Sequence, residues 1–381
     1  MTAFQIMKQG NAMLVLRLLK EQPLSRAELS RRTGLTRATI TGIADELIGT
    51  GLVREGEIAR TTVGRHPTML CLAPDAYCAV GVDLSREGVT LCFADFTARP
   101  IFSRSWGTDV PREWVLAELT EAIEAKKKKC RTLGIGVTAP GPIDAARGCV
   151  LTPSGMEAWH GFSAAELGER LGLPVILEKD TAALAIAEKH AVGARASFLV
   201  LLADHGLGGG FIYNGRLFGS AEGFGCEIGH VCIDVNGPLC TCGNRGCAEV
   251  YASVPATLAR AREMGKDMDY KRLVEAAEAG DAACRDLLSR QADALAIACV
   301  SAVNMLEPTC ILLEGELCAA HAFLSPRIEE ALSSRCFTQN GRHVQVRVSS
   351  LPHNGRAVAA TRLMLENFFE GRENDDRFGR V

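Results

Sequence analysis

Residues 230–250 read HVCIDVNGPLCTCGNRGCAEV and place one histidine and three cysteines, His230, Cys240, Cys242 and Cys247, within a single short segment. Thiolates and imidazole are preferred zinc ligands, and four of them complete a tetrahedral structural site. Gly243 and Gly246 allow the backbone reversals that bring such close-spaced ligands together. The C-x-C-x4-C spacing, with His230 upstream, therefore predicts one structural Zn2+ per chain. Four protein ligands leave no open position for an activated water, so a catalytic metal is not expected. Cys226 and Cys232 lie near enough to compete, but the tighter motif is complete without them.

Outside this segment the chain reads as an ordinary soluble protein. Its 381 residues, 47% apolar and 23% charged, suit two or three domains with sizeable cores. It has no apolar run of about eighteen residues. The start MTAFQIMKQGN lacks the charged, apolar and small-residue regions of a signal peptide. A cytoplasmic location and no membrane partner are the expectation. The 15 cysteines are an odd number scattered over a long chain, so in a reducing cytosol most should be small buried hydrophobes rather than disulfide partners. The net charge of −3 hides an asymmetry: residues 1–70 carry ten Lys/Arg against six Asp/Glu, and the remainder 32 against 39. A modestly basic first segment is compatible with nucleic acid.

That first segment has a readable local structure. NAMLVLRLLKEQP gives an apolar helix ending near Pro23; SRAELSRRTG offers a capping box, Ser25 with Glu28, closed by Gly34. LTRATITGIADELIGTGLV starts at a second cap, Thr36. It puts Ile40, Ile43 and Leu47 on one face and leaves Arg37, Ala38, Thr41 and Asp45 outward. LVREGEIARTTVGRHPTMLCL then alternates around a polar turn like a two-stranded wing. This is the pattern of a winged helix-turn-helix, whose second helix reaches base edges in the major groove. Arg37, Ala38, Thr39 and Thr41 are the candidate contacts to double-stranded DNA, with Arg65 and His66 at the wing. The alternative, a helical protein-interaction module, accounts less well for the wing and the basic bias.

From about residue 78 the pattern becomes α/β. CAVGVDLS, GVTLCFADF and RPIFSRSWG read as consecutive strands, PREWVLAELTEAIEAKKKK as a helix with a solvated lysine end, and RTLGIGVTAPG as a buried strand. The order recurs in SFLVLLAD, GLGGGFIYNG and RLFGS, a mainly helical stretch from Val254 to Leu306, and TCILLEGE. Two such units predict an internally duplicated, two-lobed fold with a ligand cleft. The expected domains are 1–72, the winged helix; 73–190, the first lobe, to which a helix at about 356–370 is a candidate to return; and 191–355, the second lobe with the zinc site.

EGFGCEIGHVCIDVNGPLCTCGNRGCAEVYAS resembles the zinc-containing signature of the ROK family of repressors, open reading frames and sugar kinases. The winged-helix segment SRAELSRRTGLTRATITGIADELIGTGLVREG (the head), followed by GRHP, resembles the arm of the NagC/XylR-type repressors, an arm the kinases lack. GIGVTAPGPID, LGLPVILEKDTAALAIAE, NMLEPTCILLEGE and GRAVAATRL extend the resemblance over nearly the whole chain. It implies an actin/hexokinase-like (RNase H-like) two-lobed ROK domain, a homodimer or tetramer, and sugar in the cleft. Asp180 matches the kinase base position, and Glu227, His230 and Glu249 match sugar-binding positions. His230 can serve both tasks, one ring nitrogen on zinc and the other on sugar.

The departures bear on activity. Where the kinases have D-x-G-G-T, this chain reads DLSRE, Asp83 to Glu87, which puts side chains in place of a glycine phosphate cradle. GLGGG survives in part, and EGE, Glu314 to Glu316, replaces a late glycine pair. This erosion predicts no kinase activity and leaves Asp180 as a vestigial base position that still binds sugar. Ser154 and Lys179 stand where asparagine is usual; Lys179 either favours an anionic ligand or pairs with Glu178 or Asp180. The expected function is a sugar-responsive transcriptional repressor of a carbohydrate-use operon. The alternatives are an active ATP-dependent sugar kinase with a DNA-binding arm, and a repressor controlled by a protein partner.

Overall fold

The computed structural model describes residues 10–58, 67–108, 110–144, 147–151, 156–193, 195–219, 225–337, 343–352 and 354–370. They fall into two units, one within Met1–Ala183 and Asn354–Phe378, the other within Leu184–His353.

The first unit opens with α1 (Gly10–Glu21), which buries Val15, Leu16 and Leu19, and the two-residue β1 (Leu24–Ser25). α2 (Arg26–Thr33) begins where Ser25 Oγ accepts the Glu28 N–H at 3.2 Å and stops at Gly34, whose φ is 73°. Glu28 departs from the expected capping box: its carboxylate is held by Arg31 and Arg32, so an ion pair takes the second half of the motif. α3 (Arg37–Gly49) is capped by Thr36 Oγ1, which accepts the Thr39 N–H at 3.2 Å. Its Ile40, Ala44 and Leu47 are buried. The wing strands β2 (Val53–Ile58) and β3 (Thr68–Leu72) are antiparallel as expected. β1 adds a third strand on the other side of β3, too short to show any periodicity in the sequence.

The chain continues through β4 (Cys78–Ser85), β5 (Gly88–Asp95), β6 (Pro100–Trp106), α4 (Arg112–Lys127) and β7 (Thr132–Ala139). After the small hairpin of β8 (Ile143–Asp144) and β9 (Cys149–Val150) come α5 (Ala164–Leu171) and β10 (Val175–Lys179), and α6 (Asp180–Val192) leads into the second unit. That unit holds β11 (Phe198–Ala203), β12 (Leu207–Tyr213), β13 (Arg216–Leu217), α7 (Glu249–Ala252), α8 (Val254–Glu263), α9 (Tyr270–Glu278), α10 (Ala282–Leu306), β14 (Cys310–Gly315), α11 (His321–Arg335) and β15 (Gln345–Val348). The five-stranded sheets run β6-β5-β4-β7-β10 and β13-β12-β11-β14-β15. In each, the first three strands are antiparallel and the last two join in parallel. The duplication read from the sequence is thus present strand for strand.

α12 (Gly355–Glu370) returns to the first unit and lies directly on its sheet. A Cβ at Gly81 would stand 2.2 Å from the Ala357 carbonyl oxygen, and one at Gly136 1.9 Å from that of Ala360. The strands need glycine where a helix backbone approaches this closely. The far end of α12 enters the head. Leu16, Leu19, Leu47 and Leu52 share one core with Tyr77, Phe96, Phe368 and Phe369. Phe96 stacks on Phe369 at 5.2 Å and meets Phe368 edge-on at 5.5 Å. Lys20 of α1 pairs with Glu366, and Arg17 Nε donates to the Phe369 carbonyl at 2.6 Å. The head has no core separate from the sheet behind it.

Cys92, Cys284, Cys299, Cys310 and Cys336 are buried thiols, but Cys71, Cys149, Cys226 and Cys318 are half-buried and Cys232 is exposed, so fewer of the cysteines serve as core hydrophobes than expected. Cys78 and Cys130 are joined as a disulfide.

Candidate metal centre, effector residues and DNA-reading helix

The ligand atoms of His230, Cys240, Cys242 and Cys247 all lie within 4.8 Å of one another. His230 ends a 3-10 turn, Ile228–His230, and its Nδ1 is 3.7 Å from Cys240 Sγ, while Cys242 Sγ is 3.7 Å from Cys247 Sγ. A tetrahedron with metal–sulfur bonds of about 2.3 Å has sulfur–sulfur edges of about 3.8 Å, which the 3.7 Å contact between Cys242 and Cys247 matches. Backbone bonds hold the loop in shape: the Cys240 N–H donates to Asn244 O at 2.7 Å, and Cys232 bridges Cys247. Gly246, at φ 64°, passes so close to Asp234 that a Cβ would be 1.6 Å from its carbonyl oxygen. Burial pushes the Cys247 thiol up to about 12, whereas the Asn244 N–H draws that of Cys242 down. Three gathered thiols need a cation to ionise together. Cys226 and Cys232 stand outside this group, so the four residues that could hold a metal ion are those expected.

In the first unit Asp180 opens α6 and is buried. Burial, opposed by Arg356 and Lys179, pushes its carboxyl up to about 6, and the Thr181 N–H donates to its Oδ1 at 2.6 Å. Lys179 is buried beside it, with its stem near Gly141. Ser154 lies outside the described residues.

The DLSRE segment forms the end of β4 and its tight turn into β5, where the Ser85 hydroxyl donates to Gly88 O at 3.1 Å. The place of the glycine cradle is occupied by an ion-pair cluster. Arg356, in the first turn of α12, donates from Nε to Asp83 Oδ2 at 3.2 Å and from Nη2 to Glu87 Oε2 at 3.1 Å. The Thr138 hydroxyl donates to Asp83 Oδ1 at 2.9 Å. Burial nevertheless holds the Asp83 carboxyl above the usual range. Sequence reasoning missed Arg356, because an arginine at a helix start reads as a surface residue and its partner is 273 positions away.

In the second unit Glu227 precedes the 3-10 turn and is exposed, His230 and Glu249 are half-buried, and the Leu207 N–H donates to Glu249 Oε2 at 2.9 Å. GLGGG is mostly strand β12. A Cβ at Gly209 would strike Ile228 and the Cys226 carbonyl, which gives this glycine a packing role. Burial pushes Glu314 up to about 7, and Gly315 and Glu316 lie against Asp204, whose Oδ1 accepts the Glu316 N–H at 3.0 Å.

On α3, Arg37, Ala38, Thr39 and Thr41 are exposed, as expected of a groove-facing surface. The Thr41 hydroxyl donates to the Arg37 carbonyl at 2.9 Å, and that of Thr39 bonds Thr36 Oγ1 at 2.9 Å. Gly42 is exposed on the same face and was not singled out from the sequence. Arg65 and His66 lie outside the described residues.

Comparison with known proteins gives the same organisation. The ROK family profile matches residues 79–367, and that of the MarR family matches 9–60. A xylose repressor from Bacillus spizizenii is 28% identical over 374 residues, covering 96% of this chain and 97% of its own. The crystal structure of a ROK family transcriptional regulator, a homologue of the Escherichia coli MLC protein, superposes with a TM-score of 0.80 at 26% identity, covering 96% of this chain and 97% of its own. A ROK hexokinase from Thermus thermophilus superposes with a TM-score of 0.63 at 28% identity and covers 74% of this chain and 96% of its own. With an α/β module matched almost from end to end, the chain belongs to the ROK family.

Proposed function

We propose that this protein is a sugar-responsive transcriptional repressor of a carbohydrate-use operon, working in the cytoplasm as a homodimer or tetramer. The observation that carries the reading is the joining of a winged helix-turn-helix, through one shared core, to a ROK module whose phosphate-loop position is filled by Asp83, Arg356 and Glu87. The Bacillus xylose repressor and the ROK transcriptional regulator each match 96% of the chain, whereas the hexokinase covers 74% of it. A kinase needs room and amide donors for phosphate where this chain places carboxylates.

The effector is a sugar, and the candidate contacts to it are Asp180, Lys179 and Ser154 in the first lobe and Glu227, His230 and Glu249 in the second. Carboxylates accept two hydroxyls in fixed directions, and His230 has its second ring nitrogen for a third. The metal is zinc, because three thiolates and an imidazole in tetrahedral spacing suit that ion. His230, Cys240, Cys242 and Cys247 would hold it, and its contribution is to brace the loop that carries the effector residues.

α12 supplies the coupling. Its first turn holds Arg356 against Asp83, near Asp180, and its last turn holds Glu366 and Phe369 against α1 of the head. Its 16 residues span about 24 Å as a rigid rod. Sugar that changes the charge around Arg356 shifts α12, and the head moves with it. Two heads of a dimer then fit a pseudo-palindromic operator poorly, because the sugar favours the other arrangement. Selection of sheared genomic DNA by the purified protein tests the reading. Recovery of a few palindromic sites beside sugar-metabolism genes supports it, and recovery of unspecific DNA alone refutes it.

A further inference from the structure

Two cysteines that the metal group does not use sit where the head meets the first sheet. Cys78 opens β4 and Cys130 follows α4; they are bonded, with Cα atoms 6.6 Å apart and a sequence separation of 52. The Cys78 N–H also donates to the Arg131 carbonyl at 2.8 Å. The residues beside them in sequence, Tyr77 and Arg131, touch each other: the guanidinium lies 4.3 Å from the centre of the Tyr77 ring and donates to its hydroxyl. A second guanidinium nitrogen donates to the Thr50 carbonyl at 3.4 Å, at the C-terminal cap of α3. Tyr77 is buried in the core that contains Leu47, Leu52 and Val53 of the head. The bond therefore fixes the pair of residues that hold the end of the DNA-reading helix.

The chemistry around Cys130 suits a reactive thiol. It is half-buried, and Lys128, Lys129 and Arg131, its neighbours in the chain, line an open stretch in which Lys129 and Arg131 are exposed and Lys128 is half-buried. A thiol open to solvent in a cationic stretch of chain can ionise to the thiolate that attacks oxidants. Cys78, by contrast, is buried. In a reducing compartment a disulfide is usually transient and redox-sensing rather than structural.

We propose that Cys78 and Cys130 form an oxidant-reactive dithiol that takes a peroxide as its substrate and, on closing, locks the head to the first sheet. The Cys130 thiolate attacks one peroxide oxygen, the O–O bond breaks, and the sulfenic acid forms with release of one water from hydrogen peroxide. The Cys78 thiolate then displaces the sulfenic oxygen, which leaves as a second water. Two thiols thus lose two protons and two electrons, and the peroxide gains them. Cellular thiols reverse the step by exchange.

The regulatory meaning rests on the repressor reading, but the test reads the protein alone. Zinc-loaded, full-length protein is treated with hydrogen peroxide, mapped as non-reduced peptides, and followed by amide hydrogen exchange over residues 47–53. The Cys78–Cys130 peptide should form before the metal thiols are lost and disappear with dithiothreitol. Exchange in the last turn of α3 should slow about tenfold in the bonded form. Cys130→Ala, at a half-exposed position, should abolish both changes while keeping zinc and melting temperature. A pair that stays unbonded while other thiols oxidise overturns the proposal, as does a bond that leaves exchange equal to that of Cys130→Ala. Bond formation with slowed exchange in a protein that binds no specific DNA upholds this inference and removes the repressor reading.

Discussion

Arg356→Ala tests whether the former phosphate position has become a structural ion-pair cluster. The substitution removes bonds of 3.2 Å to Asp83 and 3.1 Å to Glu87. Glu87 is half exposed and regains water. Asp83 is buried and keeps the Thr138 hydroxyl as its remaining side-chain donor here. Stripping the partner from a buried carboxylate costs about 3–5 kcal/mol. The Arg356 side chain is itself 22% exposed, so water entering its place reduces the figure to about 2–3 kcal/mol. Melting should fall by about 3–4 °C in a protein of this size.

The loss should also depend on pH. Burial already holds Asp83 above the usual carboxylate range, with Arg356 opposing, and removing Arg356 raises it further. The folded variant then binds a proton more tightly than the unfolded chain, whose carboxyl titrates near 3.8. Its deficit is therefore full above the folded pKa and shrinks as pH falls through that value. Scanning calorimetry over a pH series should show this narrowing towards acid, and Asp83→Asn added to Arg356→Ala should recover most of the loss at the alkaline end. A variant that melts within about 1 °C of the parent, or a deficit that does not narrow anywhere towards acid, refutes the reasoning.

Three further outcomes are expected. Arg37→Ala should weaken operator binding about tenfold or more in fluorescence anisotropy while the sugar-induced melting shift stays intact, because a lost base or phosphate contact costs about 1–3 kcal/mol. Cys240→Ser should lose zinc by metal analysis and the sugar response with it, and a zinc-free variant with full response would break the link between the two. Gly136→Ala drives a methyl to 1.9 Å from the Ala360 carbonyl and should lower stability by about 3 kcal/mol or more in urea denaturation, since neither backbone can yield cheaply.

The parts legible in the sequence are those encoded locally. Ser25, Gly34 and Thr36 punctuate the head helices as helix ends demand, and the Cys240–Cys242–Cys247 spacing announces a converging donor set. The duplicated sheets show in runs of apolar strand text. What was hidden depends on distance along the chain. β1 exists because Leu24 and Ser25 meet Leu70 and Met69. Arg356 finds Asp83, Lys20 finds Glu366, and Cys78 finds Cys130 only once the sheet has formed. Gly81 and Gly136 carried a usable signal, since glycine inside a buried strand marks a close backbone approach, but not the identity of the helix that approaches. Glu28 shows the opposite case, a local motif partly overruled by two nearby arginines.

The central claim is that sugar bound by the ROK module controls the affinity of the head for its operator. The direct measurement is fluorescence anisotropy of a labelled, selected operator with the zinc-loaded protein, titrated with a panel of pentoses, hexoses and their amino and acidic derivatives. The account predicts that one sugar class weakens operator binding about tenfold or more, the size of an ordinary allosteric coupling, and that Asp180→Asn abolishes the effect. Operator affinity that no sugar changes, or a sugar that is instead phosphorylated with steady release of ADP, would contradict it.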